Sequence, residues 1–200
     1  MCLQKIICLG DSNTWGYDPR CFLGGRYDEP WPLLLERQTG MQAVNFGENG
    51  RMIPHSDDDL VLMDRRLERL MPADALIVML GSNDILTLWD HDPTVVGRRM
   101  ADFLAHLRAQ FPDVPVLLIS PAAIDVEDDT LMRANASLGA HFAAAAAQTG
   151  CAFADAAGWG IPLSHDGVHF NEEGHRRFAE RTSAVLNRLT EKGEDHGTEA

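Results

Sequence analysis

The sequence has no apolar run long enough to span a bilayer, no cluster of lysines and arginines, and no CxxC pair. The first absence leaves no transmembrane helix to be read from its 200 residues. The second sets a partner limit: Lys and Arg number 17 against 30 Asp and Glu, a formal net charge of −13. Nucleic acid and anionic membranes both demand a basic footprint, so neither is expected as a partner. Cysteine is sparse, with Cys2, Cys8, Cys21 and Cys151 scattered through the chain. Reduced thiols in a cytoplasmic protein fit that spacing, with a disulfide or an exported form as the alternative. The N-terminus shows no basic n-region, apolar h-region or small-residue cleavage pattern, which agrees with a cytoplasmic location. No GxGxxG follows the first apolar run, and no internal repeat is present.

What is present is a chain with 45% hydrophobic content, enough for one domain with a substantial core. That domain is expected over residues 1–190, with the polar, acidic segment 191–200 as a disordered tail. Short apolar runs at Lys5 to Gly10, Ala43 to Gly47, Ala75 to Gly81, Val114 to Ser120 and Cys151 to Ala154 read as strands. Between and after them, amphipathic segments at Trp31 to Gln38, Asp57 to Leu70, Thr94 to Phe111, Asp129 to Thr149 and Glu172 to Thr190 read as helices. Near-continuous Val, Ile, Leu and Met in the third and fourth runs marks strands covered on both faces. Alternating strand and helix then predicts an α/β fold, a parallel sheet with helices on either side.

The chemistry concentrates where strands end. Gly10-Asp11-Ser12 follows the first strand, so Ser12 reaches the carboxyl edge of the sheet, where open α/β folds bind ligands. Taken alone the tripeptide is an ordinary turn and N-cap. Asp166-Gly167-Val168-His169 lies between the last strand and the last helix, at the same edge. A carboxylate three residues before an imidazole can hold one ring nitrogen and leave the other facing a hydroxyl. Alone, that spacing is also a surface turn or a loose metal pair. Asn83, in Gly81-Ser82-Asn83-Asp84, and the backbone of Gly50 are donors at the ends of the third and second strands. With the N–H of Ser12 they make a three-donor oxyanion hole, the Gly50 N–H having no Cβ in the way and Gly50 being preferred over Gly47 because Glu48 and Asn49 carry the chain beyond the strand end.

Gly10-Asp11-Ser12, the glycine after the second strand, Gly81-x-Asn83-Asp84 and Asp166-x-x-His169, in this order, resemble the four blocks of the SGNH, or GDSL, hydrolases. Ser12-Asn13-Thr14-Trp15-Gly16 further resembles the small bacterial arylesterase and acyltransferase branch, with Asn13 where a leucine is usual. The resemblance implies a three-layer α/β/α sandwich with a flavodoxin-like five-stranded parallel sheet. It implies Ser12 as nucleophile, His169 as base and then acid, and Asp166 as its orienter, with no cofactor and no metal. The expected partner is a small-molecule ester, and the expected reaction hydrolysis of short-chain esters through an acyl-enzyme, or acyl transfer to alcohols. Carbohydrate O-acetylesterase, thioesterase and lysophospholipase activities stay open within the family. Asn13, Tyr17 and Val168 are candidate substrate-binding residues, and Trp15, Trp89 and Trp159 either line the alcohol site or belong to the core. The branch also implies a homo-oligomer, for which Asp18 to Pro30 is the natural contact. Outside the family, the same turn could cradle a phosphate or flavin, or Asp11, Asp84, Asp166 and His169 could hold a metal.

Overall fold

The computed structural model of the chain describes residues 4–21 and 23–195. Its central sheet joins β1 (Lys5–Gly10), β4 (Gln42–Gly47), β5 (Ala75–Met79), β6 (Val116–Ile119) and β7 (Ala152–Ala154), all parallel, in the order β4-β1-β5-β6-β7. In chain order that is second, first, third, fourth, fifth, the flavodoxin-like arrangement. Between these strands lie α2 (Trp31–Thr39), α3 (Asp57–Glu68), α5 (Pro93–Gln110) and α6 (Asp129–Thr149), and α7 (Glu172–Asp195) closes the described chain. The amphipathic segments read from the sequence match these helices to within two residues, except that α7 continues to Asp195 where an end at Thr190 was expected. The rest of the expected tail, 196–200, lies outside the described residues.

Alternation within the strands divides the core in two. Ile7, Leu9, Leu76, Val78 and Leu118 point to one face, where Met63 and Leu67 of α3, Phe103 and Leu107 of α5 and Phe142 of α6 cover them. Ile6, Cys8, Ile77, Met79 and Ile119 point to the other, under Trp31 and Leu35 of α2 and Phe178 and Leu186 of α7. Both faces are therefore dry, which is why these strands are apolar without a period of two. Cys8, Cys21 and Cys151 are unpaired, and burial pushes the Cys8 thiol up.

Besides the 3₁₀ turn Ala157–Trp159, four short elements escape a periodicity reading: α1 (Ser12–Trp15), the hairpin of β2 (Tyr17–Asp18) and β3 (Gly25–Arg26), and α4 (Ser82–Thr87). All but β3 begin within a few residues of a strand's carboxyl end, and they build the rim. The register puts Gly10 of β1 opposite Gly47 of β4 and Met79 of β5, so three strands stop at one level. No helix among the described residues is long and apolar enough to cross a membrane.

Candidate active site

β1 delivers the chain to Asp11, whose buried carboxylate caps α1 by accepting the N–H of Asn13 at 3.0 Å. Ser12 is thus the first residue of a one-turn helix, with its N–H at the free end of that turn. Close approach of α1 to β4 requires Gly47: a Cβ there would lie 2.1 Å from the backbone nitrogen of Trp15.

Ser12 Oγ lies 3.0 Å from Nε2 of His169, and Nδ1 of the same ring lies 2.6 Å from Asp166 Oδ2. Asp166 Oδ1 accepts the backbone N–H groups of Val168 at 3.1 Å and His169 at 3.0 Å. Burial alone would raise the Asp166 carboxyl, but the His169 ring and these two N–H groups outweigh it and hold it below the usual carboxylate range. An ionised Asp166 accepts the Nδ1 proton, which leaves Nε2 as an acceptor for the Ser12 hydroxyl. Ring orientation is further fixed by Tyr17, whose ring centroid sits 4.7 Å from that of His169.

On the other side of Ser12, Asn83 Nδ2 donates to the carbonyl of Arg51 at 3.0 Å. A carboxamide carries two N–H bonds, so one ties the loop and the second is available to an oxyanion. Gly50 has φ +73, the left-handed region. A Cβ at Gly50 would meet nothing within 4 Å. Within the protein, glycine is needed there for its backbone angle.

Arg51 and Asp84 support this loop, and neither was assigned that part from sequence. The buried Arg51 guanidinium donates to the carbonyl of Gly10 at 2.9 Å, to that of Phe46, and to Glu48 at 2.9 Å. It therefore joins the ends of β1 and β4 while its own carbonyl orients Asn83. Asp84 is fully buried and accepts the Ile53 N–H at 2.9 Å and Arg99 at 3.2 Å. Burial raises its carboxyl against those two donors. A lone Arg after Gly50 and an Asp after Asn83 carry no periodic signal. Only the Gly81-x-Asn83-Asp84 block pointed near them.

The expected substrate contacts fare unevenly. Tyr17 lies against the imidazole, but Asn13 is buried and gives its carboxamide to the backbone on either side of His169, so it does not face an open pocket. Val168 is half-buried, and its carbonyl accepts from Asn13. Trp159 stacks on Phe178 in the core, the Trp15 ring lies under Arg26, and Trp89 is fully exposed. The carboxylates considered as metal ligands diverge: Asp11 turns to Asn13, Asp84 to Ile53 and Arg99. No group of three or more His, Cys, Asp or Glu among the described residues is placed to hold a metal.

The family model described as GDSL-like lipase/acylhydrolase matches residues 8–177. A GDSL lipase of Mycobacterium tuberculosis is 27% identical over 199 residues, covering 92% of this chain and 82% of that protein. Among solved structures, a carbohydrate acetylesterase family member from Sinorhizobium meliloti superposes with TM-score 0.81 at 22% identity, over 94% of this chain and 99% of its own. The inhibitor-bound aryl esterase of M. smegmatis does so with TM-score 0.80 at 21% identity, over 93% and 99%. At these identities the two structures show a shared fold.

Proposed function

The chain belongs to the GDSL-like lipase/acylhydrolase family, and from that premise we propose that it hydrolyses short-chain carboxylic esters with Ser12 as nucleophile. The observation that carries this reading is the continuous chain of hydrogen bonds from Ser12 Oγ through His169 to Asp166.

As Oγ bonds to the ester carbonyl carbon, its proton passes to His169 Nε2, and the carbonyl electrons move to the oxygen. The Ser12 N–H, the Gly50 N–H and the free Asn83 amide hydrogen stabilise that oxyanion. Collapse breaks the bond to the alcohol oxygen, which takes the proton from Nε2. Water then repeats the sequence on the acyl-enzyme, giving the acid and restoring Ser12. An alcohol in place of water gives acyl transfer by the same steps.

The leaving alcohol must lie on the imidazole side. Near the start of α7, Arg20 bridges Asp18 at 2.9 Å and Glu172 at 3.1 Å. These groups line a cavity of about 540 Å³ shared with Tyr27, Arg37 and Arg176. That cavity is walled by none of Ser12, His169, Gly50 or Asn83; the second reading, a carbohydrate O-acetylesterase, is supported by the fold shared with the Sinorhizobium meliloti acetylesterase.

The deciding assay is a panel of p-nitrophenyl acyl esters and acetylated sugars with Ser12→Ala as control. The substitution is expected to lower kcat by roughly four to six powers of ten, by analogy with a protease triad. Acetyl and butyryl esters should exceed octanoyl in kcat/KM, because a single domain of this size has little chain to spare for a deep acyl site. A parent-like Ser12→Ala enzyme removes the reading.

A further inference from the structure

Asn13 follows the nucleophile in sequence, yet its side chain serves the base. Its Nδ2 donates to the Val168 carbonyl at 3.2 Å, and its Oδ1 accepts the Phe170 N–H at 2.8 Å, so one carboxamide grips the chain immediately before and after His169. The residue is 6% exposed, and its own N–H is held by Asp11.

The remaining bonds of the 164–170 loop have a different reach. Asp166 takes the Val168 and His169 N–H groups, Ser164 N–H donates to the His169 carbonyl at 2.7 Å, and Gly167 N–H donates to the Ser164 carbonyl at 3.1 Å. The Gly167 carbonyl accepts from Asp125, in the segment after β6, at 2.8 Å. These bonds make the loop stiff and tie it to the β6 side of the sheet. Apart from the His169–Ser12 bond itself, none of them reaches the turn that carries Ser12.

We propose that Asn13 is a positioning residue that sets the separation of His169 Nε2 from Ser12 Oγ. It aligns the proton transfer without touching the substrate. The inference rests on Ser12 as nucleophile and His169 as base. Its physical basis is that a shift of about 1 Å between reacting groups costs roughly a hundredfold in rate. The two Asn13 bonds also satisfy a carbonyl and an N–H that would otherwise be unpaired at this junction.

Asn13→Ala, His169→Ala and the double variant are compared with the parent on p-nitrophenyl acetate, reading kcat and KM separately. Asn13→Ala is expected to lower kcat by about 100-fold with KM within about twofold. In the His169→Ala background the same substitution should change the residual rate less than about twofold, since no base remains to be aligned. A parent-like kcat for Asn13→Ala overturns the proposal. So does an equal loss in both backgrounds, which marks a general structural role.

Should Asn13→Ala not fold, Asn13→Asp keeps the acceptor for Phe170 N–H and removes the donor to Val168. With one of the two grips on the loop lost, its kcat should fall with KM within about twofold. A parent-like kcat overturns the proposal through this variant. Ser12→Ala, run alongside, separates the two failures: parent-like activity there removes the nucleophile reading, whereas an inactive Ser12→Ala with a fully active Asn13→Ala removes only the positioning role.

Discussion

At Asp166 a single atom decides which nitrogen of His169 carries the proton. Oδ2 faces Nδ1 at 2.6 Å while Oδ1 holds two backbone N–H groups. Asp166→Asn can keep the second task with its carbonyl oxygen, but it then presents an NH₂ group to Nδ1. The ring must respond by carrying its proton on Nε2, where it faces Ser12 as a donor and cannot act as base. This variant should fold, keep a near-parent KM and lose about four powers of ten in kcat, as the equivalent change does in a serine protease. Steady-state kinetics with a thermal melt checks both halves: a parent-like kcat contradicts the tautomer argument, and a collapsed melt contradicts the geometric one. The same attention to single atoms explains Asn13. The sequence offers Asn13 as a substrate-binding candidate, standing where a leucine is usual; its side-chain partners lie more than 150 positions away, at Val168 and Phe170. A carboxamide's direction is set by those distant groups, and no local pattern encodes it.

At the scale of elements, the two glycines at the end of β4 separate local strain from steric conflict. Gly50 needs its positive φ but has open space, so Gly50→Ala should cost about 1 to 2 kcal/mol of stability, the penalty of a left-handed residue with a Cβ. Gly47→Ala drives a methyl into the backbone of α1 and cannot be accommodated without moving the turn that holds Ser12. Denaturant melts should therefore rank Gly47→Ala well below Gly50→Ala, and Gly47→Ala should also lose most esterase activity. Equal melts would contradict the close approach. The same contrast shows what the sequence could reveal. Long strands and helices were legible because dry faces and 3.6-residue stripes repeat over many positions. The GDSL-like blocks were legible because each one follows a strand. The one-turn α1, the six-residue α4 and the two-residue strands of the hairpin are too short for a period to register. Arg51 was invisible for another reason: its bonds go to carbonyls at Gly10 and Phe46, which every residue possesses.

At the scale of the whole molecule, two buried groups, one after β1 and one on α7, set opposing acid responses. Burial raises the Asp11 carboxyl to about 6 from 3.8, although the Asn13 N–H, His169 and Arg51 pull the other way. Burial lowers His175 to about 4 from 6.5, with a smaller contribution from His169. The His175 ring accepts the Trp31 N–H at Nδ1 and lies against Tyr27 and Phe170. For His175, the unfolded chain takes up its proton first, so stability is lost as pH falls from about 6.5 towards 4. For Asp11, the folded chain takes up its proton first, so stability is gained as pH falls from about 6 towards 3.8. Between pH 7 and 5 the two contributions are about 2 kcal/mol lost and about 1 kcal/mol gained, so Asp11 offsets about half of the His175 loss. Each single variant then exposes the other group. Asp11→Asn, which keeps an N-capping side chain, should lose about 2 kcal/mol over that interval because His175 is uncompensated. His175→Phe should instead gain about 1 kcal/mol as pH falls, because only Asp11 still titrates. Urea unfolding at pH 7, 6 and 5 reads these slopes directly and is insensitive to any constant offset from either substitution. Parallel curves for parent and both variants would mean that neither group is held where the fold places it. Opposite slopes would show that a buried acid beside the nucleophile and a buried base on α7 oppose one another in the acid response.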